Sequence, residues 1–215
     1  MHWMPTQIQI LMKCLEITET VGSLVEDFKK NGAKISSGLY KDQMVEMNLH
    51  RSVVEGNGFD LLAMGRGEGP GCYCAANNLF KKYIDMLQTS YDYVVMDNEA
   101  GMEHLSRKTT HDVDYLLIIS DPSRRGILSA ARIRDLTSEL AIKARRIFLI
   151  FNRVNDGLDE RLKNFVIKAD LEILGVINTD DALTDLELDG KDIFDLDPES
   201  SSILQTRNIL QKLNV

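Results

Sequence analysis

An α/β fold, built on a mostly parallel open sheet flanked by helices, follows from two features of this sequence. Short apolar runs recur along the chain, each continuous rather than alternating, as strands buried on both faces require. Between them lie longer stretches whose apolar residues recur at helical spacing. Strands that alternate with helices build βαβ units, which place the strands parallel.

In chain order, the upstream part reads as two helices, Glu19 to Asn31 and Asp42 to Glu55, the first stopped by Asn31-Gly32. The apolar runs are Phe59 to Met64, Tyr93 to Met96, Tyr115 to Ile119, Ile147 to Phe151 and Ile173 to Ile177. Helical patterns occupy Ala76 to Leu87, Arg124 to Leu140 and Glu160 to Lys168. A closing helix spans Pro198 to Leu213, with Ile203, Leu204, Leu210 and Leu213 spaced for one face. Only Arg207 and Lys212 are basic there and aromatics are absent, so the spacing predicts core packing rather than a helix lying on a membrane. No repeat or low-complexity linker divides the chain. Crossovers are expected to be right-handed, and ligands are expected at the carboxyl ends of the strands.

Composition narrows the classes of function. The 215 residues are 44% hydrophobic and 27% charged, with a net charge of -8, so no overall basic field draws nucleic acid or acidic lipid. Acidic residues cluster from Asp180 to Asp197, a run that reads as a solvated surface segment. No window approaches the roughly 18 consecutive apolar residues of a membrane span. Met1 to Ile10 lacks the basic start and apolar run of a signal peptide. Three cysteines without an export signal suit a reduced, cytoplasmic protein whose thiols are free or metal-bound.

Four segments could carry chemistry. In Gly67-Glu68-Gly69-Pro70-Gly71-Cys72-Tyr73-Cys74, glycine and proline make a loop from which two thiolates can face one ion. One residue of separation strains any disulfide between them, and two thiolates leave a tetrahedral site half filled. A twofold dimer would supply the second pair. Tyr91 to Gly101 places Asp97 at the end of an apolar run, where a carboxylate either holds the water shell of Mg²⁺ or simply terminates a strand. Asp121-Pro122-Ser123-Arg124-Arg125-Gly126 joins a strand to a helix that Ser123 can cap; the arginines either meet an anion or lie exposed. Asn152, ending Ile147 to Phe151, could present a donor and an acceptor to a base edge, although asparagine also terminates strands. Cys14 lacks a nearby partner, and His104 and His111 read as structural or exposed.

In their order, Gly71-Cys72-Tyr73-Cys74, then Met96 to Leu105, then Asp121 to Arg125, then Phe151-Asn152-Arg153-Val154 resemble the CooC-type nickel-insertion ATPases. These are deviant-Walker ATPases related to MinD and the nitrogenase iron protein. The resemblance runs from about Val21 onward, and the CxC followed by Glu99-Ala100-Gly101-Met102-Glu103-His104-Leu105 is its most discriminating part. It implies a MinD-like P-loop NTPase fold and a homodimer, using ATP with Mg²⁺, that helps deliver nickel to carbon monoxide dehydrogenase or acetyl-CoA synthase. Cys72 and Cys74 would bind Ni²⁺ or Zn²⁺ between subunits, Asp97 would be the acid near Mg²⁺, and Asn152 would recognise adenine. No catalytic residue is assigned. A non-catalytic metal-binding dimerisation module and a MinD-like positioning protein are the alternatives; the CxC and the closing helix argue against the second.

One departure is large. Such ATPases open with a strand and a glycine-rich phosphate loop, and residues 1–17 contain no glycine. Read back through the genetic code from the third nucleotide, Met1 to Lys13 encodes a forced Ala-Leu-Asp-Ala and permits Asp-Pro after it, which resembles an early family segment. The expectation is therefore a frameshift near Cys14 to Thr18, with residues 1–17 out of frame and 18–215 a truncated MinD-like ATPase domain. Without the first strand and its loop, the chain is expected to be poorly stable and not to hydrolyse ATP.

Overall fold

The structure is a computed structural model that describes residues 20, 47, 52–56, 58–63, 90–98 and 112–213. The chain forms two compact units, Met1–Thr109 and Thr110–Val215, each taken by itself below.

Within the first unit, β1 (Val53–Glu55) pairs antiparallel with β2 (Asp60–Leu62), with Val54 opposite Leu61. The link between them closes through the Gly56 N–H, which donates to the Phe59 carbonyl at 2.7 Å, and through Gly58 at φ +85°. Two sequence expectations are corrected here. The helix expected over 42–55 does not reach its end, although Met47 is helical, because Val53–Glu55 is a strand. The run Phe59 to Met64 gives a three-residue hairpin strand, half exposed, rather than a strand buried on both faces.

The run Tyr93 to Met96 is likewise not a strand, and Tyr93 is 64% and Val95 89% exposed. Four apolar residues become a strand only when a neighbour takes up their backbone groups. No strand among the described residues pairs with them. Tyr91 is anchored instead by its hydroxyl, which donates to Asp60. The expected helices Glu19 to Asn31 and Ala76 to Leu87, with Cys14, His104 and His111, lie outside the described residues.

Unit 2 realises the predicted pattern. Its elements are β3 (Val113–Ser120), α1 (Arg124–Glu139), β4 (Ala144–Val154), α2 (Glu160–Lys168), β5 (Ile173–Asn178), α3 (Asp181–Leu188), a 3-10 turn (Ile193–Asp195) and α4 (Ser201–Lys212). The strands form one parallel sheet in the order β3-β4-β5. Central β4 explains the unbroken apolar run in the sequence, because both of its faces are covered. Leu149 and Phe151 pack with Ile118, Ile127, Ala130 and Val166 beneath α1 and α2. Phe148 and Ile150 pack with Leu174, Ile209 and Leu213 beneath α4. Burying each such side chain contributes about 1.5–3 kcal/mol relative to leaving it in water. The closing helix packs on the core as expected, but through Ile209 and Leu213; Leu210, expected on the same face, is 42% exposed.

Two irregularities bend the ladder between β4 and β5. Between Ile173 and Gly175, β5 holds one extra residue, Leu174; between Phe151 and Val154, β4 holds one extra residue. The Leu174 carbonyl is bonded by Lys212 Nζ at 2.8 Å, so α4 satisfies a backbone group at the first bulge. The second bulge lies at the carboxyl end of β4.

The acidic run is a surface segment as expected, but it contains an unanticipated helix. No residue of α3 is buried, and Leu183 and Leu186 are only half-buried. Among the described residues, no helix is long and apolar enough to cross a membrane.

Candidate functional site

Parallel strands bring their carboxyl ends to one edge of the sheet: Ser120 ends opposite Phe151, and Val154, three residues further along β4, ends opposite Asn178. Ser123 caps α1: its hydroxyl oxygen accepts from the Gly126 N–H at 3.0 Å, and its O–H donates to Asp121 Oδ1 at 2.8 Å. The helix approaches the strand end closely, for a Cβ on Gly126 would lie 2.2 Å from Ser120 Oγ. Glycine is required for that approach. Of the two arginines singled out in the sequence, Arg124 lies over the Phe165 ring at 4.5 Å and so packs onto α2. Arg125 is exposed.

Asn152 sits in the β4 bulge, half-buried. Arg153 follows it at φ +57°, a left-handed conformation that L side chains adopt at a cost of about 1–2 kcal/mol. That turn lets the Arg153 N–H donate to Asn152 Oδ1 at 2.9 Å. A backbone N–H can only face the oxygen, so the amide orientation is fixed and Nδ2 keeps its two donors. Such a group fits a ring nitrogen or carbonyl of a base.

Beyond β5 the chain is tied on both sides. The Thr179 N–H donates to the Val154 carbonyl at 3.0 Å, and its hydroxyl donates to Asn155 Oδ1 at 2.6 Å. The Asn178 N–H donates to Gln205 Oε1 on α4 at 2.7 Å. Asp180 caps α3 through the Ala182 N–H at 3.1 Å and also accepts from the Ser202 N–H at 2.9 Å. The Ser202 N–H first, and the Ala182 N–H with it, hold the Asp180 carboxyl below the usual carboxylate range.

Asn152, expected from sequence to bind a ligand, falls in this edge of unit 2. Asp97 is exposed in unit 1, beside Asn98, whose Nδ2 donates to the Met96 carbonyl at 3.4 Å. Cys72 and Cys74 lie outside the described residues. Among the described residues, no group of three His, Cys, Asp or Glu side chains is placed to hold a metal ion. Sequence reasoning passed over Asn155, Thr179 and Asp180, although Asn178-Thr179-Asp180 directly after an apolar run is a usable capping signal.

The chain is 34% identical over 201 residues to the uncharacterized ATP-binding protein MJ0685 of Methanocaldococcus jannaschii, spanning 93% of this chain and 79% of that relative. Its fold matches that of the MinD cell division protein of Aquifex aeolicus, with a TM-score of 0.57 over 77% of this chain and 69% of the other, at 20% identity. The chain belongs to the MinD/ParA-like P-loop NTPase family. Within that family it is 33% identical over 150 residues to the carbon monoxide dehydrogenase accessory protein CooC of Rhodospirillum rubrum. That match covers 67% of this chain but 62% of CooC, less than two thirds of its length. No protein-family model matches. In open α/β sheets, ligands collect outside the carboxyl ends of the strands.

Proposed function

We propose that this chain is a nucleotide-linked accessory protein for nickel insertion into carbon monoxide dehydrogenase or acetyl-CoA synthase. The observation that carries the reading is the ordered set of Cys72-Tyr73-Cys74, Glu99 to Leu105, Asp121 to Arg125 and Phe151 to Val154. It occurs in a chain 33% identical to a carbon monoxide dehydrogenase accessory protein. In this reading two copies pair their Cys72 and Cys74 thiolates around one Ni²⁺ or Zn²⁺, completing four sulfur ligands. Asp97 stands near Mg²⁺, and the Asn152 amide meets adenine. No glycine-rich phosphate loop of this family's kind occurs within the 215 residues, and in this reading those residues by themselves do not hydrolyse ATP.

The test is metal content and solution mass of the full chain with Ni²⁺ and with Zn²⁺, alone and as Cys72→Ser or Cys74→Ser. One ion per two chains is expected, lost together with the dimer in either variant. Unchanged stoichiometry in both variants would remove the cysteines from the site. Magnesium-dependent phosphate release by the purified chain would overturn the hydrolytic silence.

A further inference from the structure

The end of β5 is held by an arrangement whose centre is a single carboxylate. Ser200 occupies the N-cap position of α4, yet its side chain makes no capping bond. The first turn of that helix is capped instead by Asp180, which lies 22 residues earlier in the chain. The same carboxylate caps α3, eight residues long, from its ordinary N-cap position. Two helix N-termini, each with a partial positive charge, therefore converge on one anion.

Between those helices and β4 runs the segment Asn178-Thr179-Asp180. It is bonded to Val154 and Asn155 on one side, and to Gln205 and Ser202 of α4 on the other. Val154 and Asn155 directly follow the bulge that aims Asn152. Thr179 is thereby tied to Val154 and Asn155, two and three residues after Asn152 in the chain.

We propose that Asp180 is a positioning residue that locks Thr179 and the end of β5 against β4, shaping the wall that discriminates the base of a bound nucleotide. The inference rests on the reading that this edge receives the base. Asp180 does not touch the ligand. Its removal frees the first turns of both α3 and α4 and lets the Asn178-Thr179 segment drift from Asn155. A looser wall costs discrimination between bases more than it costs overall affinity, because misplaced amides and hydroxyls tolerate either hydrogen-bonding pattern.

The experiment uses the full chain labelled with nitrogen-15. It is titrated with ATP and with GTP in the presence of Mg²⁺, following the Asn152 side-chain amide and the Thr179 backbone amide. Wild type, Asp180→Ala and Asp180→Ser are compared below their melting temperatures. Serine can cap α3 from position 180 but is too short to hold the α4 turn as well. The ATP-over-GTP preference is expected to fall on the order of tenfold in the alanine variant, equivalent to about 1.4 kcal/mol. The serine variant recovers the part of the thermal stability that comes from capping α3, without recovering the preference. A preference unchanged in both variants, with wild type binding ATP, overturns the inference and leaves the site reading intact. Should the alanine variant not fold, the serine variant decides alone. Wild type showing no shift at Asn152 or Thr179 with either nucleotide removes the site reading and the inference together.

Discussion

Gly175 lies directly under Ile209, so closely that a Cβ on the glycine would sit 2.4 Å from Ile209 Cγ1 and 2.6 Å from its Cδ1. Ile209 is 4% exposed and has little room to withdraw. Gly175→Ala is therefore expected to destabilise unit 2 by about 1–3 kcal/mol, the usual cost of overpacking. Adding Ile209→Val, which removes one methyl group, should return part of that loss. Urea unfolding of the single and double variants checks the pair; additive losses would show that the two positions do not clash.

At the far end of α1, stability can be gained. Ala141 follows the helix at φ +55°, where the Ile142 N–H donates to the Thr137 carbonyl at 3.0 Å. This closes the helix through a left-handed residue, the position that glycine occupies most easily. Ala141→Gly is expected to raise stability by about 0.5–1 kcal/mol. A lower melting temperature in this variant would contradict the strain.

The opposite end of the same helix depends on its cap. Ser123→Ala removes the acceptor for the Gly126 N–H, and the expected loss is about 1 kcal/mol. Ser123→Thr should retain most of the stability, since its hydroxyl can accept from the Gly126 N–H and still donate to Asp121. Chemical denaturation of both variants provides the comparison, and equal losses would argue against capping as the cause.

Acid should act through Asp180. Its carboxyl is held below the ordinary range in the folded chain, chiefly by the Ser202 N–H. A carboxyl depressed by folding contributes stability above its unfolded pKa of about 3.9, and that contribution is lost as pH falls through the folded value. The melting temperature of wild type should therefore drop more steeply from pH 5 to pH 3 than that of Asp180→Asn. Parallel curves would remove Asp180 from the acid response.

How far the sequence carried the fold differed between the two units. In unit 2 the apolar runs at Tyr115, Ile147 and Ile173 fall inside β3, β4 and β5, and the helical patterns match α1 and α2 to within a residue, although β4 extends three residues beyond its run at each end. Their partners lie close in sequence, so local pattern and tertiary environment agree. The hairpin β1–β2 was legible but passed over. Asn57-Gly58 between Val53-Val54-Glu55 and Asp60-Leu61-Leu62 is a turn signal that argues against continuing a helix through Glu55. Tyr93 to Met96 failed for another reason, because an apolar run states what could be buried and not which neighbour will bury it. At the candidate site, Asn152 was visible by its place after a strand. The left-handed turn at Arg153 was not, since arginine carries no preference for such a conformation. Nor could the reach of Asp180 to Ser202, across 22 residues, be read from spacing.

The notch at Gly175 also acts on folding. A strand that slips by one residue against β4 brings Leu174 or Val176 to the place where the side chain is missing, and Ile209 then has nowhere to enter. Lys212, which seeks the carbonyl at the neighbouring bulge, would miss it in the same slip. The helix therefore selects the register of the sheet: α4 can seal the core only over a correctly aligned β5.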